Sequence, residues 1–399
     1  MQSREQKGLL IARRCQIIKK DDATWIVPSQ SGGRIYEVRY YGKDYTCTCT
    51  DYELRKQPCK HIYAVDVEMH NLPDKTAIVI AREEKRPTYQ QNWHAYNTAQ
   101  VREQELFMKL LADLCDDVEE PLYAGGRPRL SLRDMIFISA LKIYSTFSLR
   151  RFMGDMKVAL DNKYITRPCS FTSVGKYLQN EKLTPILHQL ITLSAMPLKT
   201  VETKFAVDST GLRTTRFTDY CREAHDMNME HEWIKLHICT GTITNTITSA
   251  YVDFMHEGDS RLFIPLVAET KGNGFDVQEV SADKAYSGRD NLEYSVGIGA
   301  MPFIPFKNNA TGTAKGSKVW RRMYNFFVYN QEAFLEHYHA RSNVESTFFM
   351  IKSKFTDVIR SRNKTAQANE VLLKVLCHNI VVLIHEMHEL GIKPNFIDV

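Results

Sequence analysis

Near the N-terminus, Cys47, Cys49, Cys59 and His61 lie in "CTCTDYELRKQPCKH", a C-x-C-x9-C-x-H spacing. Three thiolates and one imidazole make a closed tetrahedral set for Zn2+, with no coordination position left over for catalysis. Three acids much further along suggest different chemistry. Asp208 and Asp283 each stand where an apolar run gives way to polar residues, in "FAVDSTG" and "EVSADKAYSG". Glu345 lies in "EHYHARSNVESTFFMIK". One Asp at a strand end is usually a cap or a turn residue. Two on separate strands, with a Glu on a later helix, make a set that can bind two Mg2+ ions about 4 Å apart. Such a pair activates an attacking hydroxyl and stabilises the leaving 3′ oxygen of an in-line phosphoryl transfer.

The segment that carries Glu345 reads as one helix. At ~100° per residue, Tyr338, Arg341, Glu345 and Lys352 fall within roughly 60° of arc. Val344, Phe348, Ile351 and Phe355 form an adjoining apolar stripe. From Arg341 to Lys364 the chain carries Arg341, Lys352, Lys354, Arg360, Arg362 and Lys364 against Glu345 and Asp357. A local basic excess of this kind suits phosphate contact.

These residues need elements to position them. Residues 1–75 hold short β-like runs, "TWIVPS" and "RIYEVRYY", with "QSGG" between them as a turn. "KHIYAVDVEMH" follows as a helix, so the metal ligands belong to a small ββα unit. Residues 76–100 are polar and aperiodic, a linker. Residues 101–199 are helical, with Ser131 as N-cap of "SLRDMIFISALKIYS" and two shorter helices, "FTSVGKYLQ" and "TPILHQLITLSAM". Residues 200–399 alternate strands ("KFAVD", "IKLHICT", "TNTITSAYVDF", "VQEVSAD", "MPFIPF") with a helix, "DSRLFIPLVAET", and close on long helices. Between Asp283 and Glu345, "GTAKGSKVWRRMYNFFVYN" reads either as a basic, aromatic DNA-contacting loop or as a packed β-hairpin.

At 399 residues, two or three domains are expected. A net charge of +5 identifies no partner by itself. There is no run of about 20 apolar residues, so no membrane span is expected. The opening "MQSREQKGLLIARR" lacks a secretory signal's apolar core, which favours the cytoplasm. Nine cysteines are too scattered for a disulfide framework, so the close cluster points to metal. Cys15, Cys221, Cys239 and Cys377 are read as structural, as are His225, His231 and His237. His385 and His388 are three apart and do not make a zinc-protease motif.

The cysteine–histidine stretch, over about residues 20–70, resembles the SWIM zinc-finger family, which implies DNA or protein binding through a Zn2+ site. Tyr338-x2-Arg341-x3-Glu345-x6-Lys352 resembles the Tyr-Arg-Glu-Lys signature of bacterial and archaeal insertion-sequence DDE transposases. "VDSTGL" and "ADKAYSG" are similar to that group's two Asp contexts, and the resemblance spans about residues 120–390. It implies an α/β, RNase H-like domain, a mixed sheet flanked by helices, preceded by the helical region and the zinc finger. It implies that Asp208, Asp283 and Glu345 hold Mg2+ or Mn2+, and that Tyr338, Arg341 and Lys352 contact DNA. The partners implied are double-stranded DNA, as element ends and target, and a second copy in a dimer on DNA in the nucleoid. The reaction implied is hydrolytic cleavage followed by joining of 3′ hydroxyls to target DNA. Two alternatives are a non-catalytic, transposase-derived regulator that works through its zinc finger, and a plain RNase H-like nuclease.

Overall fold

The computed structural model describes residues 4–15, 17–29, 35–42, 44–70, 92–116, 118–122, 125, 129–214, 233–254 and 258–396. The chain divides into two compact units, Met1–Tyr89 and Gln90–Val399. The turn expected at "QSGG", residues 76–91 of the expected linker, Cys221, His225 and His231 lie outside the described residues.

In the first unit α1 (Arg4–Arg14) precedes β1 (Ile18–Lys19), β2 (Thr24–Pro28), β3 (Ile35–Tyr41) and β4 (Asp44–Cys47), then α2 (Thr50–Arg55) and α3 (Lys60–His70). The strands form an antiparallel sheet in chain order. The two runs read as strands are β2 and β3; β1 and β4 are too short to leave a periodic signal, so the unit is larger than ββα. Trp25 and Val27, two apart on one face of β2, bury against Val38, Ile11, Ile62 and Val65. Gly8 lets α1 approach α3: a Cβ there would stand 2.5 Å from that of Tyr63.

The second unit opens with α4 (Trp93–Asp116), α5 (Leu132–Tyr144), α6 (Met153–Asp161), α7 (Phe171–Leu178) and α8 (Leu183–Ala195). Helix α4 begins inside the stretch read as linker, because Ala95, Ala99, Leu106, Phe107 and Leu110 keep a helical period into the core. Ser131 caps α5, its side chain accepting from the Asp134 amide as the sequence suggests.

The sheet follows: β5 (Lys204–Arg213), β6 (Trp233–Gly241), β7 (Ile247–Asp253), α9 (Ser260–Gly272), β8 (Glu279–Ala282), α10 (Arg289–Gly297) and β9 (Met301–Phe303). Among the described residues its order is β7-β6-β5-β8-β9, with β5, β6 and β7 antiparallel and β5, β8 and β9 parallel. This mixed order is the expected RNase H-like arrangement. The chain closes with α11 (Lys318–Tyr329), α12 (Gln331–Tyr338), α13 (Ser342–Phe355) and α14 (Lys364–Glu389).

Period-two alternation along β5 divides two cores. Phe205 and Val207 join Phe263, Val280, Phe303, Trp320 and Phe334 on one face. Ala206 and Leu212 join α4, α5, α8, α13 and α14 on the other. The helices of 101–199 therefore cover one face of the sheet and share its core.

The segment "GTAKGSKVWRRMYNFFVYN" is neither loop nor hairpin: most of it is α11. Ser317 caps this helix by accepting from the Trp320 amide at 3.1 Å, and Trp320 and Met323, three apart, are buried. Helix α14 is long and apolar enough to cross a membrane by length and composition, with mean hydropathy 1.4 in its best window. That window is 78% buried within the protein, so α14 serves here as a core helix.

Candidate active site and metal centre

In the first unit the chain closes on itself around four side chains. Cys47 ends β4, Cys49 immediately precedes α2, Cys59 precedes α3, and His61 lies in the first turn of α3. All four are buried, and their ligand atoms lie within 4.8 Å of one another. His61 Nδ1 is 3.8 Å from Cys47 Sγ and 3.9 Å from Cys59 Sγ. A tetrahedron with Zn–S of about 2.3 Å and Zn–N of about 2.1 Å has edges of roughly 3.6 Å, so the cluster suits zinc. Donation from Cys47 holds the Cys59 thiol well below the ordinary range; burial opposes this and His61 reinforces it. Cys59 is thus the first thiolate of the set. Tyr36 packs on the His61 ring at 4.5 Å.

In the second unit, β5 and β8 bring two acids level. Val207 pairs with Ala282 in parallel register, so Asp208, the next residue of β5, and Asp283, the first residue past β8, follow level with each other. Asp208 Oδ1 accepts from the Ser209 amide at 2.8 Å, and its Oδ2 accepts from Arg341 Nη1 at 2.7 Å. Arg341 Nη2 donates to Glu345 Oε1, so one guanidinium joins two carboxylates. Asp283 Oδ1 caps the short turn Lys284–Tyr286, accepting from the Ala285 amide at 2.6 Å. Burial is the strongest influence on Asp208 and raises its pKa. The Ser209 amide and Arg341 oppose that rise, while Asp283 and Glu345 add to it, so the three acids share one electrostatic field. They are not drawn into a knot as tight as the cysteines: among the described residues, only the Cys/His set packs so closely.

The segment carrying Glu345 is not one helix. Helix α12 ends at Tyr338, a 3-10 turn takes His339–Arg341, and α13 begins at Ser342. A 3-10 turn advances about 120° per residue instead of about 100°, which rotates Tyr338 away from the expected arc. Tyr338 instead packs half-buried on the second core, with the Arg341 guanidinium 5.9 Å from its ring centroid. The apolar stripe is as expected: Val344, Phe348, Ile351 and Phe355 are buried, at roughly 1.5–3 kcal/mol each.

Polar contacts fix α13 against the sheet. Lys352 Nζ donates to Thr210 Oγ1 on β5 at 2.7 Å, Thr347 donates to Asn245 at 3.2 Å, and Asn343 donates to the Thr242 carbonyl. Just beyond α13, Arg213 at the end of β5 pairs with Asp357 at 2.6 Å. Part of the basic excess is spent on structure. Lys354 meets both oxygens of the buried Glu103 at 2.7 Å, and Arg360 donates to the Thr146 and Phe147 carbonyls. Their partners are far away in sequence, so the charge run alone did not reveal them. His237 is fully buried on β6, opposite Ser209.

A protein-family model described as a transposase DDE domain matches residues 199–380, the span of this sheet and its closing helices. Residues 199–380 form a transposase DDE domain. The SWIM zinc-finger model matches residues 36–65, which contain all four cluster residues. A protein of Archaeoglobus fulgidus, described as a probable transposase for insertion sequence element ISA1214, is 24% identical over 325 residues. That alignment covers 78% of this chain and 94% of the relative. No solved structure matches the chain. Within the DDE domain, Asp208, Asp283, Arg341 and Glu345 form the polar group at the β5–β8 junction, and Lys352 reaches from α13 to Thr210 further along β5.

Proposed function

We propose that the chain is an insertion-sequence transposase that binds element ends, cuts them by metal-dependent hydrolysis and joins the freed 3′ hydroxyls to target DNA. The observation that carries this reading is the parallel register of β5 and β8, which makes Asp208 and Asp283 neighbours while Arg341 ties Glu345 to Asp208. In this reading the three carboxylates hold Mg2+ or Mn2+, hard cations that suit oxygen ligands. When bound, they supply activation of the nucleophile and stabilisation of the leaving oxygen. In the first step water adds to phosphorus and the P–O3′ bond breaks, leaving a 3′ hydroxyl on the element. In the second, that hydroxyl attacks a target phosphodiester and displaces the target's own 3′ oxygen.

Arg341 and Lys352 offer cations for the phosphates on either side, and Tyr338 offers a hydroxyl and a ring face. Their order with Glu345 supports the reading that the chain is of the Tyr-Arg-Glu-Lys group. The zinc finger and the helices of 101–199 are the candidates for end recognition. Two ends must meet, so the active species is at least a dimer on DNA, working at the nucleoid.

The test supplies terminal repeats and Mg2+ and resolves cleaved 3′ ends and joined products on a gel. Asp208→Asn and Glu345→Gln are expected to lose both products, by more than the roughly 10–100-fold typical of changes around a metal site. Joining undiminished in either variant would refute the triad. Cleavage without joined product would make the protein a nuclease, and DNA binding without cleavage a regulator.

A further inference from the structure

Beyond Asp283 the chain builds a hollow of about 200 Å³, which none of the roles above uses. Ser287, Arg289, Lys307, Asn309, Lys315 and Trp320 line it, and no carboxylate does among the described residues. Three cations face one small space, and none of them forms an ion pair among the described residues. Lys307 and Lys315 are exposed. The nearest acids in sequence, Asp283 before it and Asp290 and Glu293 on α10, lie outside the lining.

Arg289 is held in place. Its guanidinium lies 4.5 Å from the Trp320 ring centroid, and its Nε is buried with no hydrogen-bond partner. The ring is itself fixed: Trp320 Nε1 donates to the Thr311 carbonyl at 2.8 Å, and Phe306 packs edge-on at 4.8 Å. An arginine stacked on an aromatic face keeps its fork preorganised, which favours oxyanions of phosphate type. Ser287 and Asn309 add short polar groups able to donate to the same oxygens. Exposed Lys318, Arg321 and Arg322 on α11 continue the positive surface.

We propose that this hollow seats a backbone phosphate of the DNA strand being processed, a few nucleotides from the scissile bond. The proposal rests on the reading of Asp283 as part of the catalytic site. Ser287 is four residues beyond Asp283, at most about 14 Å along an extended chain. A DNA strand advances about 3.4 Å per phosphate, so the seat lies within roughly four nucleotides of the cut.

The test measures binding of the full-length protein to a short duplex of arbitrary sequence, without divalent cation, over a range of salt. The slope of log K against log salt counts the phosphates neutralised, at about 0.9 each. Lys307→Ala/Lys315→Ala is expected to reduce that slope by about one. Lys307→Arg/Lys315→Arg should restore it, and a control pair outside every element assigned to DNA here, Lys271→Ala/Lys393→Ala, should leave it unchanged. An unchanged slope in the alanine pair overturns the proposal, as does an equal loss in the control. ATP binding at matched ionic strength that is lost in the same alanine pair would assign the hollow to a free nucleotide and also overturn it. A wild type that binds and cleaves DNA while the alanine pair keeps its slope removes the seat and leaves the transposase reading intact. A wild type that binds no duplex removes both.

Discussion

Arg341 sets the charge balance of the candidate site. Burial disfavours its charge, but Tyr338, Asp208 and Glu345 outweigh that and raise its pKa. Without it, Asp208 and Glu345 would lose the cation that joins them. A separate carboxyl lies on α14, where burial, with Glu389 and Glu202 nearby, pushes Glu386 up to about 7 from 4.5. A carboxyl whose folded pKa is raised stabilises the fold below its unfolded value and loses that contribution as pH climbs through the folded one. Glu386→Gln is therefore expected to match the wild type near pH 4.5 and to be more stable by about 2–3 kcal/mol above pH 7. Denaturation midpoints across pH measure this; a difference that stays flat with pH would count against it.

Helix α13 carries Glu345, and its register depends on contacts at both ends. Near its N-terminus Asn343 and Thr347 bond to the β6–β7 turn, and near its C-terminus Lys354 meets Glu103 of α4. Tyr144 of α5 also donates to Glu103, at 2.6 Å, so one buried carboxylate joins three helices. Removing only the lysine strands a buried charge, whereas replacing both partners does not. Lys354→Ala is expected to destabilise by about 2–4 kcal/mol, and Glu103→Gln/Lys354→Met to recover much of that. A double-mutant cycle by chemical denaturation reads the coupling; additive single effects would show that the pair does not hold the helix.

For the molecule as a whole, the two units should fail separately. The first buries few large apolar side chains, and a Cys/His site of this kind contributes binding free energy on the order of 10 kcal/mol to folding. The second has two extensive cores and no comparable ligand set among the described residues. A strong chelator acting on the full-length chain is expected to release one Zn2+ and to strip hydrogen-exchange protection from residues 44–70. The amides of β5 and β6 should stay protected. Cys59→Ser should reproduce the loss without chelator, and protection retained in both experiments would mean that metal does not hold the finger.

Much of this was legible in the chain. The spacing of Cys47, Cys49, Cys59 and His61 carries its own chemistry, because ligands a few residues apart need only a turn to converge. The acid contexts "FAVDSTG" and "EVSADKAYSG" show strand ends, and the stripe from Val344 to Phe355 shows a buried face, because both are local periodicities. What depended on distant partners was not legible. The 3-10 break at His339–Arg341 forms where α12 and α13 must pack on different surfaces. Lys354 looked like a phosphate contact until the fold brought Glu103 to it from 251 residues away. Helix α11 and the hollow beside it draw on residues from three segments that only the packed sheet brings together. The sequence determined which groups could act and on which local element each lies. The tertiary structure decided which charges are already neutralised and which remain free to meet a substrate, because charge pairing depends on distances that only packing sets.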